Sequence, residues 1–205
     1  MENKPWSRRD SWERYASRTN PFIGVTTPVE VTPIVKYCKL NKNFYATMTY
    51  CVSKAANSVP AFRTRVPNGD VHGDPLFFDR VDPNIVEKVD DDTIGFIRIP
   101  MKDNFDDFMK GYKLRKQIFN EQGKSDMDLS LDEIWISCAP WFTTTAIIPP
   151  YDTDNTILQF IWDKVDGPDN NKKVNLTIHA HHGLCDGLHI AKFLDKLNLE
   201  IGNFK

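Results

Sequence analysis

The chain has 205 residues, of which 40% are hydrophobic and 26% are charged, a balance typical of one globular domain with a sizeable core. Its formal net charge is -2, and its basic residues do not gather in a separate patch, so charge argues against nucleic acid and anionic membranes as partners. No apolar run approaches the roughly 18 residues that a membrane-spanning helix needs. No apolar segment follows the basic residues at the start, so we expect no secretory signal.

The four cysteines lie far apart, and none of them forms a C-x-x-C pair: Cys38, Cys51, Cys138 and Cys185. A disulfide framework is uncommon at this length, and a zinc knuckle requires closer spacing. We therefore expect reduced, mostly buried thiols. The prediction is a single domain over residues 1–205, located in the cytoplasm.

The hydrophobic pattern predicts helices and strands in alternation along the first half of the chain. A helix is expected in NFYATMTYCVSKAANSV, ending before Pro60. The Asn-Gly pair at residues 68–69 predicts a hairpin. The segment IGFIRIP alternates as a strand does, and DNFDDFMKGYKLRKQIFNEQG has the apolar stripe and the terminal glycine of a second helix.

Three further strands are predicted in the second half, in the segments DEIWISCAPWF, TILQFIWDKV and KVNLTIHAHH. The last of them leads into a helix from Gly187 to about Leu199. Strands and helices mixed along one chain predict an α/β fold, a two-layer sandwich in which helices cover a mixed β-sheet.

Four of the five histidines lie within residues 179–189, where the last predicted strand ends. Because side chains alternate faces along a strand, His182 would close the apolar row that faces the core, and His179 and His181 would share the polar face. Asp186 is a candidate N-cap for the helix that follows. An imidazole at the mouth of the core is a candidate general base, because its pKa suits proton transfer near neutral pH.

Two other interpretations of the histidine cluster stay open. A histidine at the end of a strand is commonly a hydrogen-bonded core residue. A metal site is also conceivable, because His179 and His181 share a face, but two ligands without a third at a useful spacing are a weak signature for zinc. The expectation is that no metal is bound.

The segment HHGLCDG at residues 181–187 has the pattern H-H-x-x-x-D-G. With it the chain resembles the coenzyme A-dependent acyltransferase superfamily, and within it the chloramphenicol acetyltransferases. Four more segments agree with that family in order and spacing: WSRRDSWERY, NFY, DRVDP and ISCAPWF. The resemblance covers nearly all of the chain.

The resemblance implies acetyl transfer from acetyl-CoA to a hydroxyl of chloramphenicol, which inactivates the antibiotic. The second histidine of the motif, His182, would be the general base, and Ser137 would stabilise the oxyanion. Asp186 would pair with Arg8 and hold the site in shape. Acetyl-CoA would be a co-substrate, with no tightly bound cofactor, and the transfer would occur directly in a ternary complex.

The same resemblance places Tyr15 at the acceptor pocket and Trp141 along the coenzyme A channel. Other interpretations of these positions remain: core packing for Trp141, a backbone-bonded strand serine for Ser137, and a solvated charge for Arg8. A single copy of this length lacks the second lobe of larger relatives. The resemblance therefore implies a cyclic homotrimer, in which each His182 faces an acceptor pocket on the neighbouring subunit.

The acceptor side departs from the family pattern. Ile161 falls near the position of a second oxyanion-side threonine, and Asn43 near that of a phosphate-contacting lysine, with Lys42 beside it. The alternative functions are therefore a related acetyltransferase with another hydroxyl or amine acceptor, and a catalytically silent binding protein of the same fold.

Overall fold

A computed structural model of the protein describes residues 6–39, 43–123 and 130–204. The strands of these residues are β1 Phe22–Glu30, β2 Thr64–Arg65, β3 Leu76–Phe77, β4 Asp82–Lys88, β5 Ile94–Arg98, β6 Glu133–Ala139, β7 Gln159–Asp163 and β8 Lys173–His181. The α-helices are α1 Arg9–Ala16, α2 Thr32–Cys38, α3 Phe44–Asn57, α4 Phe105–Gln122 and α5 Gly187–Gly202. No helix within these ranges is both long enough and apolar enough to span a membrane.

Six of the strands form one mixed sheet in the order β1-β8-β7-β6-β4-β5. Strand β6 runs parallel to both of its neighbours, β4 and β7. Strand β8 runs antiparallel to both β1 and β7. Strand β5 closes the other edge by antiparallel pairing with β4. Strands β2 and β3 form a small separate pair.

The two faces of the sheet differ in what covers them. One face packs against the helices, and its central strand residues Ile85, Ile136, Phe160 and Ile178 are at most 1% exposed. Side chains at the alternate positions point to the opposite face. The prediction of a two-layer α/β sandwich with a mixed sheet is confirmed.

Most of the predicted elements are present, but the hairpin differs in detail. The backbone at Asn68 and Gly69 has positive φ angles of 54° and 59°, as an Asn-Gly turn requires. However, the turn lies within a longer loop between β2 and β3 and does not join them directly. The sequence analysis did not predict α1, α2, β1 or β4.

The end of β8 corrects the prediction from strand alternation. The strand ends at His181, so His182 lies in the following turn and does not close the core-facing row. His179 and His181 share a face, as expected, since both rings contact Phe22. That face is not solvated here, because His179 is only 8% exposed and His181 only 1%.

Candidate active site

The turn between β8 and α5 is held by Arg8, which comes from the opposite end of the chain. Its guanidinium donates hydrogen bonds to the carbonyl oxygens of His182 and Gly183 and to the carboxylate of Asp186, each at 3.0 Å. Asp186 also caps α5 by accepting from the N–H of Leu188 at 3.1 Å, as predicted. The interpretation of Arg8 as a solvated charge is therefore wrong.

Asp186 remains ionised over the neutral pH range. Burial favours its neutral form, but the hydrogen bond from Arg8 and the charges of His189 and Arg8 outweigh this and lower the pKa of Asp186 to about 2. The second carboxylate oxygen, Oδ1, lies 2.9 Å from Nδ1 of His189. The charged carboxylate thus fixes Arg8 and the first turn of α5 in one arrangement.

The ring of His182 is oriented by two contacts. Its Nδ1 lies 3.0 Å from the carbonyl oxygen of Cys185. Because a carbonyl oxygen only accepts, Nδ1 donates, and in the neutral ring the lone pair is on Nε2. The ring stacks on Tyr15 with a centroid separation of 4.1 Å and an interplanar angle of 19°. His182 is half-buried, so Nε2 is a positioned acceptor for a proton.

His181 has a different environment from its neighbour. Its ring packs against Trp12 at 4.4 Å, and its Nδ1 accepts a hydrogen bond from the N–H of Gly183 at 3.1 Å. Burial, with a smaller contribution from His182, lowers the pKa of His181 to about 4, so the ring is neutral near pH 7. The interpretation as a hydrogen-bonded core histidine fits His181.

Gly183 is a residue of this turn that the sequence analysis did not single out. A Cβ at this position would lie 3.0 Å from Cα and ring atoms of Trp12 and 3.1 Å from Cε1 of His181. The close approach of α1 to the turn therefore leaves little room for a side chain at this position. The sequence does contain a signal for this role, because a glycine directly follows the histidine pair at the point where the strand ends.

Ser137 lies on the face of the sheet opposite to the helices, where it lines a cavity of about 320 Å³. Every residue that lines this cavity is uncharged, and most are apolar; they include Val86, Phe96, Trp135, Pro149, Pro150 and Ile161. Asn84 and Gln159 add polar groups to its wall. Ile161 pairs directly with Ser137 across β6 and β7, so an apolar side chain neighbours the serine hydroxyl.

Within one chain, Ser137 and His182 are too far apart to act on the same atom. Ser137 is level with Ile161 and, through it, with Thr177 on β8. His182 directly follows the end of β8 and is five residues beyond Thr177, about 17 Å further in the strand direction, and β8 is two strand spacings, about 10 Å, from β6. The backbone separation is thus about 20 Å, which these two side chains do not span.

The remaining positions that the resemblance singled out lie apart from His182, except Tyr15. Trp141 follows β6 and is 74% exposed, so its interpretation as a core residue is wrong. Asn43 caps α3 by accepting from the N–H of Ala46 at 3.1 Å. Lys42 is outside the described residues.

The cysteines beside these residues are poorly suited to nucleophilic attack. All four cysteines are free thiols. Burial raises the pKa of Cys185 to about 12 and that of Cys138 to about 11, and the thiol form is a weak nucleophile. Within the described ranges, no group of three or more histidine, cysteine or acidic residues is arranged to hold a metal ion.

We expect Arg8→Ala to lower the free energy of unfolding by about 2 kcal/mol, because the turn loses three hydrogen bonds, one of them to a carboxylate. Urea unfolding followed by circular dichroism measures the change. Arg14→Ala is the control, since Arg14 is an exposed residue of α1, the helix that directly follows Arg8, and its loss should change stability by about 0.5 kcal/mol or less. Equal effects of the two substitutions would contradict the role of Arg8 in the turn.

Comparison with known proteins finds matches that extend over almost the whole chain. The family described as chloramphenicol acetyltransferase matches residues 1–198. Chloramphenicol acetyltransferase 3 from Escherichia coli is 26% identical over 212 residues, which cover 98% of this chain and 95% of that protein. The chloramphenicol acetyltransferase from Staphylococcus aureus is 26% identical over 199 residues, covering 94% and 90% of the two chains.

Solved structures show the same fold. A chloramphenicol acetyltransferase superposes with a TM-score of 0.87 at 22% identity, and the match covers 98% of each chain. A probable dihydrolipoamide acetyltransferase from Listeria monocytogenes gives a TM-score of 0.72 at 14% identity, covering 100% of this chain and 95% of that one. The chain therefore has the same fold as these two acetyltransferase structures. Since the family match extends over nearly its full length, the chain belongs to the chloramphenicol acetyltransferase family.

Proposed function

We propose that this protein transfers an acetyl group from acetyl-CoA to a hydroxyl of chloramphenicol, as one domain over residues 1–205. Membership of the family supports an acetyltransferase, and acetyl-CoA is the co-substrate of that family. The observation that carries the assignment of the base is the ring of His182, whose Nδ1 donates to the carbonyl of Cys185 and leaves Nε2 to accept a proton.

In the proposed reaction, Nε2 of His182 removes the proton from the acceptor hydroxyl as its oxygen attacks the thioester carbonyl. The oxyanion of the tetrahedral intermediate accepts a hydrogen bond from the hydroxyl of Ser137, a contact worth roughly 3 kcal/mol in comparable sites. The carbon–sulfur bond then breaks, and the protonated His182 returns its proton to the sulfur of coenzyme A. No covalent acyl-enzyme forms, so both substrates are bound together.

Arg8 and Asp186 act in this proposal by holding the turn that carries His182. Their bonds to its carbonyls and to the start of α5 fix the ring relative to the sheet. Tyr15, stacked on His182, would contact the acceptor. Trp141, whose exposed ring follows β6, would contribute to the channel for coenzyme A.

The active site is proposed to form between two copies of the chain. The separation of about 20 Å between Ser137 and His182 supports this, because a neighbouring subunit has to supply one of the two groups. The segment after β6 also exposes large apolar side chains, with Trp141 at 74%, Phe142 at 54% and Ile148 at 85%. Such surface is typical of an interface, and a cyclic homotrimer would bury it while completing three equivalent sites.

A second candidate is acetyl transfer to a different small hydroxyl or amine compound. The observation that favours it is Ile161, an apolar side chain paired with Ser137 where the resemblance implies a threonine. Trp135 also contributes a large ring to the wall of the same cavity. Both residues affect the choice of acceptor and leave the role of His182 unchanged.

We expect the loss of the acetyl-CoA thioester, followed by absorbance, to be rapid only when chloramphenicol is present. Monitoring the thioester avoids interference from the four protein thiols. A panel of small alcohols and amines serves as the comparison: turnover with one of these and not with chloramphenicol would support the second candidate. Absence of turnover with every acceptor would contradict both and favour a silent binding protein.

A further inference from the structure

The cavity that Ser137 lines has a buried carboxylate behind its wall. Glu133 is the first residue of β6 and is 0% exposed. Glu133, Trp135 and Ser137 occupy alternate positions on this strand, so their side chains share one face of the sheet. Trp135 and Ser137 line the cavity directly, whereas Glu133 does not.

The carboxylate of Glu133 holds two residues of the cavity wall. Its Oε1 accepts a hydrogen bond from the indole Nε1–H of Trp135 at 2.7 Å, and its Oε2 accepts one from the amide Nδ2–H of Asn84 at 3.2 Å. Asn84 belongs to β4 and is the register partner of Trp135. One side chain thus ties together wall residues from two adjacent strands.

A carboxylate is an unfavourable choice at this position for stability alone. Burial favours the neutral form and raises the pKa of Glu133, although Trp135 and Asn84 oppose that shift. The main chains of β4 and β6 are already joined by their ladder, so the carboxylate is not needed to hold the strands together. The carboxylate instead fixes the orientation of the Trp135 ring, because a buried indole N–H is usually paired with a hydrogen-bond acceptor.

We propose that Glu133 is a positioning residue of the acceptor cavity, an inference that rests on the proposed function. Its carboxylate fixes the orientations of Trp135 and Asn84 and thereby determines which acceptors the cavity admits. Glu133 does not act on the reacting atoms. It lies four residues before Ser137 on β6, about 13 Å along the strand. Its removal should therefore alter acceptor binding and leave the chemical step intact.

The test compares Glu133→Ala and Glu133→Gln in the full-length protein, with chloramphenicol as the acceptor. We expect Glu133→Ala to raise the KM for the acceptor by about tenfold or more, with kcat and the KM for acetyl-CoA within about twofold of their original values. Glu133→Gln should restore the acceptor KM to within about threefold, since its amide oxygen accepts from the indole N–H.

The matched control is Glu87→Ala. Glu87 is on β4, and its carboxylate bonds Lys116 of α4 at 2.9 Å, on the face that packs against the helices. The same truncation there should leave the KM for the acceptor unchanged. If Glu133→Ala changes kcat and both KM values to a similar extent, its role is general stability and the inference is overturned.

Trp135→Phe keeps the inference testable if Glu133→Ala does not fold. It removes the N–H that the carboxylate accepts and keeps an aromatic ring in the wall, so the acceptor KM should rise in the same way. An unchanged acceptor KM in folded Trp135→Phe would overturn the inference while leaving the acetyltransferase proposal in place. An unmodified protein that turns over no acceptor would overturn both.

Discussion

Replacement of His182 by alanine is expected to lower kcat by about 10²- to 10⁴-fold, the usual contribution of a general base. The ring is the proposed acceptor of the hydroxyl proton, and its Nε2 is oriented by the bond from Nδ1 to the carbonyl of Cys185. The KM for acetyl-CoA should change little, because the proposal gives His182 no role in binding the coenzyme. Steady-state kinetics with varied acetyl-CoA and acceptor measure both quantities.

His181→Ala is the matched control for this result. The ring of His181 is 1% exposed and packs against Trp12 and Phe22, so its truncation should lower the free energy of unfolding by about 2 kcal/mol. It leaves the proposed base in place, and kcat should fall by less than about tenfold. Equal losses of kcat in the two variants, both folded, would contradict the assignment of the base to His182.

The difference between these two histidines shows where sequence reasoning reaches its limit. Alternation along the strand correctly placed His179 and His181 on one face. It assigned His182 to the core-facing row only because the strand was taken to continue one residue too far. Since strand periodicity is two residues, a one-residue error at a strand end reassigns a side chain completely. The assignment of the base to His182 rests instead on the family pattern and on the orientation of its ring, and neither depends on that boundary.

The sequence predicted those features that depend on interactions between residues close together in the chain. The N-cap at Asp186 and the apolar stripe of α5 depend on neighbouring residues, and both are present. Arg8 is 178 positions from Asp186, and no local pattern connects them, so only the resemblance to a family proposed the pair. Strand β1 was missed because it includes Pro28 and becomes a strand by pairing with β8 at the sheet edge.

The sequence contains enough information to predict several residues of the cavity wall. The segment DEIWIS places Glu133, Trp135 and Ser137 on one face by alternation alone, once β6 is recognised as a strand. The bond from the Trp135 indole to the carboxylate and the participation of Asn84 from β4 depend on strand order. Strand order results from long-range packing and is not readable from local periodicity.

Mixed assemblies of His182→Ala chains and Ser137→Ala chains are expected to recover activity that neither variant has alone. Each parent should lose at least about 100-fold in kcat, as removal of a base or an oxyanion donor usually does. Because about 20 Å separates the two residues within one chain, a site that uses both takes them from different subunits. A Ser137→Ala chain then supplies His182 to the intact Ser137 of a neighbouring His182→Ala chain.

In a cyclic assembly formed from equal amounts of the two chains, about one site in four receives both intact residues, so about a quarter of the original activity should return. The chains are unfolded and refolded together, the parents are treated alone as controls, and light scattering checks that the mass is three times the 23.6 kDa of one chain. Mixed trimers without recovered activity would contradict a shared site, and so would a monomer with full activity. Recovered activity would show that the two residues of one site come from different subunits. This conclusion does not depend on the identity of the acceptor, because only the chain that supplies each residue differs between the samples.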